Sequence, residues 1–325
     1  MITKRNANVP WNDSIKRRLK LRELDILLAV IQSRGMAKAA VRLNMTQPAV
    51  SKAIADLEQT LGVRLVDRGR RGVEPTSFGR SLIKRSIAIF DELRQGVEDI
   101  EFLSDPTAGE LRIGTSESMA AGPVLAIIER LNRRYPRMVF NIVIGDAEKL
   151  CHELVERNIE FAISRITQRV DEAQFDLETL FYDSLVVAAG TQSPWARRRK
   201  ISLPQLMNEP WALMPFDTVP GGLMAQALHA NGLERPRATV ITLSLNMRNR
   251  LLATGRFLTI LPAFTLTLPG MDSSIKALPV GLPSTRGPVA IITLHNRTLT
   301  PLAQMFIARV REFGKSLARR EGGVS

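Results

Sequence analysis

Gln47, Pro48, Ser51 and Lys52 are spaced so that an α-helix would carry them on one face. Gln can pair bidentately with adenine, Ser can meet several base edges, and Lys can reach guanine or phosphate. The opposite face of the same segment carries Val50, Ala53, Ile54 and Leu57, which suits a buried stripe. Thr46 is a good N-cap for this helix, because its hydroxyl can accept an otherwise unpaired amide hydrogen. Pro48 falls in the first turn, where its missing N–H costs nothing. Further on, Arg68, Arg70 and Arg71 cluster between Leu65-Val66 and Val73-Pro75. Two short strands with a basic tip would lie along phosphates, and each Arg would add salt-sensitive, sequence-independent affinity.

Other elements must hold that face outward. Leu24, Leu27, Leu28 and Ile31 follow helical spacing, as do Met36, Ala39, Ala40 and Leu43. Arg34-Gly35 and Asn44-Met45 separate these helices, and Gly62 is a natural C-cap for the third. Three-helix units with alanine contacts also occur in domains that bind no nucleic acid, so charge must decide. Residues 1–85 hold 18 Lys/Arg and 7 Asp/Glu, and so carry +11 of the chain's net +13. A basic N-terminal quarter on a nearly neutral body implies a polyanionic partner, with nucleic acid favoured over a membrane surface. Residues 1–19 read as a flexible basic arm.

The stretch Leu21–Gly79, including AKAAVRLNMTQPAVSKAIADLEQTLGVRLVDRGRRGVEPTSFG, resembles the DNA-binding domain of LysR-type transcriptional regulators. The resemblance implies a winged helix-turn-helix over residues 20–78, on double-stranded DNA. It puts Gln47, Pro48, Ser51 and Lys52 at the major groove, with Thr46 beside them among the DNA-binding residues. Arg68, Arg70 and Arg71 would meet the backbone or minor groove. Met36-Ala37 departs from the family's Ser-Phe followed by a hydroxyl residue, a hydroxyl that some members use on a phosphate.

Leu82, Ser86, Ile89, Leu93, Gly96, Ile100 and Leu103 step by four and three, a heptad seam with weak positions at Ser86 and Gly96. The pattern alone also fits a helix packed on its own domain. The resemblance implies a linker helix over residues 79–104 that pairs with its twin in a homodimer or homotetramer. Asp105-Pro106-Thr107-Ala108-Gly109 reads as a hinge.

From Gly109 strands and helices alternate, with strands expected at 111–115, 139–144 and 161–164 and helices at 124–132 and 149–157. A second series follows, with strands at 185–189, 211–214, 239–242 and 258–261, then a late strand at 289–294 and a final helix. The fold class is α/β, with mostly parallel sheets. GELRIGTSES, Tyr135-Pro136 and LLATGRFLTILPAF resemble the family's two-lobed, periplasmic-binding-protein-like effector domain, over residues 109–325 with the second lobe near 188–265. Ligand groups should come from strand C-termini and helix N-termini facing the cleft. The candidates are Thr115, Ser116, Ser118, Ser164 and Arg165 on the first lobe. On the second they are Phe216, Asp217, Thr218 and Asn246. They suit a carboxylate or sugar-like effector, and each is otherwise an ordinary cap or loop residue.

An enzyme is not expected. The sequence has no P-loop, dinucleotide-binding glycine fingerprint or GxSxG elbow. Cys151 and His152 would point about 100° apart on a helix and read as structural. His229 and His295 stand alone, so neither a metal site nor a cofactor is expected. A solute receptor would need a signal sequence, but Met1–Lys20 lacks an apolar core for one, and no apolar run approaches the ~18 residues of a membrane span. A cytoplasmic transcription regulator, with RNA polymerase as an expected partner and no membrane contact, fits best.

Overall fold

The computed structural model describes residues 18–322, apart from 70–71, 168, 235, 237, 269–273 and 283. Arg70, Arg71 and nearly all of the expected basic arm lie outside the described residues. The chain divides into two compact units between Val97 and Glu98.

The first unit opens with α1 (Leu21–Gln32), α2 (Met36–Arg42) and α3 (Gln47–Leu61), followed by the antiparallel strands β1 (Val66–Gly69) and β2 (Gly72–Pro75). Leu24, Leu27, Val30, Ala39, Val50, Ile54 and Leu57 fill its core. Most are the expected helical-period positions, but on α1 Val30 is buried while Leu28 and Ile31 are only half-buried, and alanines at 39 and 40 let the helices approach closely. Arg34 adopts a left-handed φ of 52°, and its carbonyl accepts Val73 N at 3.2 Å. That bond ties the wing to the α1–α2 turn. Gly72 passes beside the same carbonyl at φ +110°, and a Cβ there would stand 2.6 Å from the Arg34 oxygen.

Helix α4 (Ser77–Ser104) follows, capped by Thr76, whose hydroxyl accepts Gly79 N at 3.0 Å and donates to Arg64 O at 2.8 Å. Gly79 lies against the Leu65 carbonyl, and a Cβ there would come within 2.0 Å of that oxygen. On a free helix, Gly→Ala stabilises by up to about 1 kcal/mol. Here the clash should reverse the sign, so that Gly79→Ala costs about 1–3 kcal/mol. The check is a lower urea midpoint at unchanged slope.

The expected heptad seam is only partly realised on α4. Leu82 packs on the core of the first unit, and Ser86 is buried with its hydroxyl returned to Leu82 O at 2.9 Å. The exposed stripe begins lower, at Ile89, Leu93, Val97, Ile100 and Leu103. After α4 the expected hinge is a tied turn. The Asp105 carboxylate accepts from Thr107 N at 3.0 Å and pairs with Arg137, and β3 (Ala108–Thr115) begins at once. Those Thr107 bonds, ahead of Arg137, hold Asp105 below the usual carboxylate range.

The second unit has two five-stranded sheets. In the first the order is β4 (Arg137–Ile144), β3, β5 (Phe161–Arg165), β12 (Gly287–Leu294), β6 (Phe175–Asp183). β3, β4 and β5 are parallel, while β12 runs antiparallel to both β5 and β6. Helices α5 (Leu125–Arg134), α6 (Ala147–Val155) and the last helix (Pro301–Gly322) accompany it. The second sheet is ordered β11 (Ile275–Ala277), β7 (Leu185–Gly190), β10 (Leu258–Pro262), β8 (Trp211–Leu213), β9 (Ala238–Ile241), with helices α7 (Val219–Ala230) and α8 (Leu245–Ala253). The final helix is α9. Sheets expected to be mostly parallel are therefore mixed, because the chain returns through β12 and β7 turns back beside β10 and β11. The second sheet also reaches past the expected 188–265 at both ends. Each lobe has its own apolar core, one around Phe161, Phe306 and Ile291 and the other around Trp211, Leu206 and Ile260.

Candidate functional site

Two surfaces carry the residues singled out in the sequence. The first is the outer face of α3. Gln47, Pro48 and Lys52 are exposed and Ser51 is half-buried, while Val50, Ile54 and Leu57 on the opposite side have no solvent exposure. The Thr46 side chain caps the helix by accepting Ala49 N at 3.4 Å. Gln47 Nε2 donates to Ser51 Oγ at 3.5 Å, a long bond that costs little to break when either group meets another partner. Arg68 is exposed on β1, opposite Val73. Sequence reasoning missed Glu58. Its Oε1 accepts both Leu65 N at 2.7 Å and Val66 N at 3.1 Å, so α3 fixes the root of the wing directly. A carboxylate on the inner side of a helix, shortly before a strand, was the available signal.

The second surface is a cleft of about 410 Å³ within the second unit, lined by both sheets' connecting elements. Of the expected contacts, Ser116, Ser118, Ser164, Arg165 and Thr218 line it. Ser116 and Ser118 follow β3, where the strand ends in a short helical turn, and their hydroxyls lie 3.4 Å apart. Thr218 is an N-cap; its hydroxyl donates to Pro215 O at 2.6 Å and accepts Gly221 N at 3.2 Å. Ser164 is buried, with its hydroxyl 3.5 Å from Arg165 O.

Thr115, Phe216, Asp217 and Asn246 do not line the cleft. Thr115 has no solvent exposure and turns its hydroxyl to Ser116 O at 3.4 Å. Phe216 packs on the second lobe's core, and Asp217 is exposed. Asn246 is exposed and accepts Arg250 Nε at 3.2 Å. It begins α8 on the wrong side. Leu245, Arg248 and Leu252 form the inner stripe of that helix, and Leu245 and Arg248 line the cleft instead. An arginine in an apolar stripe was the signal for Arg248.

Arg165 has a structural task as well. Nη1 pairs with Asp183 Oδ2 at 3.2 Å, and Nη2 donates to Asp183 O at 2.6 Å and to Thr285 O. Burial lowers its pKa, and Asp183 opposes that shift. Glu117, also missed, reaches from the first lobe to the second, where its Oε1 accepts Leu245 N at 2.9 Å at the start of α8.

Cys151 is half-buried on α6, and burial pushes its thiol up to about 11. At neutral pH it is protonated and therefore a poor nucleophile. Among the described residues no group of three or more His, Cys, Asp or Glu could hold a metal ion. Among the described residues no helix is long and apolar enough to cross a membrane.

Residues 21–80 match the family described as "Bacterial regulatory helix-turn-helix protein, lysR family", and residues 104–315 match "LysR substrate binding domain". The HTH-type transcriptional regulator GbpR of Azospirillum brasilense is 28% identical over 312 residues, covering 96% of this chain and 91% of that protein. The uncharacterized HTH-type transcriptional regulator YeiE of Escherichia coli (strain K12) is 32% identical over 195 residues, 60% of this chain and 64% of its own length. In fold, the chain is similar to a full-length cysteine-to-aspartate variant of OxyR from Pseudomonas aeruginosa, with a TM-score of 0.62 at 20% identity, covering 91% of this chain and 95% of that one. The exposed α3 face, the wing and the two-lobed domain thus belong together, and the chain is a member of the LysR family, a DNA-binding transcription regulator with an effector-binding domain.

Proposed function

We propose that this regulator reads a duplex with Gln47, Pro48, Ser51 and Lys52 in the major groove, anchors on phosphates through Thr46 and the wing arginines Arg68, Arg70 and Arg71, and responds to a small molecule bound between its two lobes. The observation that carries the reading is α3 itself, a helix that buries Val50, Ile54 and Leu57 wholly while the opposite face of its first two turns, with Gln47, Pro48 and Lys52, is exposed and holds no carboxylate before Asp56. Such a face can enter a groove about 12 Å wide, as B-DNA offers. The exposed apolar stripe of α4 supports a homodimer, in which two heads read half-sites roughly 34–36 Å apart or a multiple of it. Further association to a tetramer and contact with RNA polymerase complete the proposal.

Base readers and phosphate anchors should separate in a binding assay. Gln47→Ala and Ser51→Ala should weaken binding to the cognate operator by about 1–3 kcal/mol while changing random-DNA binding little. Arg68→Ala should weaken both and reduce the salt slope by about one unit. Titration of labelled duplexes at several salt concentrations measures both. Equal losses on the two DNAs for the α3 variants would move base reading elsewhere.

A further inference from the structure

The cleft holds a cation that the fold does not neutralise. Arg248 is 4% exposed, on the inner face of α8, and is among the residues that line the cavity. Nη1 makes a single long bond to Ile260 O at 3.3 Å, and Nε has no hydrogen-bond partner. No carboxylate among the described residues forms an ion pair with it. Glu117 attracts it from beyond ion-pair distance, while that carboxylate is itself bonded to Leu245 N. Burial outweighs this attraction and pulls Arg248 below its ordinary value. A buried arginine has five donors to satisfy, and leaving them open is costly without an anion.

The other cations at the cleft are engaged. Arg165 is held by Asp183, and Lys149 Nζ donates to Ile144 O at 2.8 Å with its side chain exposed. The walls beside Arg248 are apolar, built from Met119, Met214, Leu223, Leu245, Phe264 and Val289. Of the hydroxyls at the cleft, that of Thr218 is used on both sides and those of Ser116 and Ser118 face each other, while Asp146 and Thr167 also line it.

We propose that the cleft takes a small organic acid with an apolar body, its carboxylate held by the Arg248 guanidinium and its body against the apolar walls. The proposal rests on the reading of the cleft as the effector site. It names the ligand class and a binding residue on the second lobe. A planar carboxylate can take two parallel N–H bonds from one guanidinium. The first-lobe hydroxyls Ser116 and Ser118 are within the same cavity, so one ligand can engage both lobes.

The test uses the full chain and matched probes: hexanoate, benzoate, cyclohexanecarboxylate and 3-phenylpropanoate, each beside its amide, with sulfate, glucose and galactose. Thermal unfolding and calorimetry read binding. At least one acid should raise the melting temperature by about 2 °C or more at saturating concentration, with its amide inert. Arg248→Met should abolish that shift without lowering the melting temperature of the free protein, because it removes an uncompensated buried charge. Arg248→Lys keeps the charge but loses the fork, and should weaken the acid about a hundredfold. It serves alone if the Met variant does not fold. Amides binding as well as acids, sulfate alone binding, or an acid affinity undiminished in the Lys variant would each overturn the proposal. So would a panel in which no acid binds. Sugars that bind and compete for a cleft narrowed by Ser118→Trp would overturn the acid while leaving the cleft as effector site. Acid binding indifferent to Ser118→Trp would overturn both.

Discussion

Asp183→Ala should destabilise the effector-binding unit by about 3–5 kcal/mol. Asp183 is 3% exposed and closes β6, where the chain leaves the first lobe. Its Oδ2 pairs with Arg165, and its Oδ1 accepts Phe264 N at 2.9 Å, where the chain comes off β10. Arg165 also bonds the Thr285 carbonyl on the segment returning to β12. Thr285 in turn accepts Leu185 N at 3.2 Å and donates to Leu282 O at 2.8 Å. Both passages of the backbone between the two sheets, and the segment that leaves β10, thus meet at one carboxylate and one guanidinium.

Removing the carboxylate leaves a guanidinium whose side chain is 14% exposed without its counter-charge, and a buried amide without its acceptor. Both penalties add to the lost bonds. Asp183→Asn keeps an acceptor for Phe264 N and should lose distinctly less than the Ala variant. Urea unfolding of the three proteins measures the order. A loss below about 1 kcal/mol in the Ala variant would mean that sheet pairing alone holds the crossover. Because Arg165 also lines the cleft, the Asn variant should show a weakened response to any ligand there, even where it folds well.

The reading head was legible in the sequence because its information is local. Helical period, the Thr46 cap, Pro48 in the first turn and the Gly62 C-cap all lie within a few residues of the feature they mark. The crossover was not. Asp183 lies 81 residues from Phe264, and Thr285 lies 100 from Leu185 and 120 from Arg165, and no local pattern announces such a meeting. β6 went unread because Phe175–Asp183 mixes charged and apolar residues, and its pairing with β12 joins distant parts of the chain. β11 has three residues, too few for any period. On α8 the error was one of phase. Ser244 caps the helix, so Asn246 turns outward and Arg248 inward, and the polar residue nearest the strand end was the wrong choice.

Leu93→Asp should weaken operator binding roughly a hundred- to ten-thousandfold while leaving each head folded. Leu93 is 49% exposed near the middle of the stripe formed by Ile89, Val97, Ile100 and Leu103, and none of the described residues covers that stripe fully. Steps of three and four make it one seam of an α-helix, the pattern by which two helices pair. Two linked heads bind a two-part operator with an effective local concentration that single heads lack, and that linkage is worth about two to four orders of magnitude. An aspartate in the seam must be buried unpaired if the helices pair, which costs more than pairing returns. The variant should therefore sediment as a smaller species and bind one half-site as the parent's single head would. Glu101→Gln, exposed on the same helix, is the control and should change neither property. Leu93→Ala should fall between, because it trims apolar contact without adding charge. If Leu93→Asp keeps both the assembly state and the operator affinity of the parent, α4 is not the dimer seam, and the two heads must be joined elsewhere.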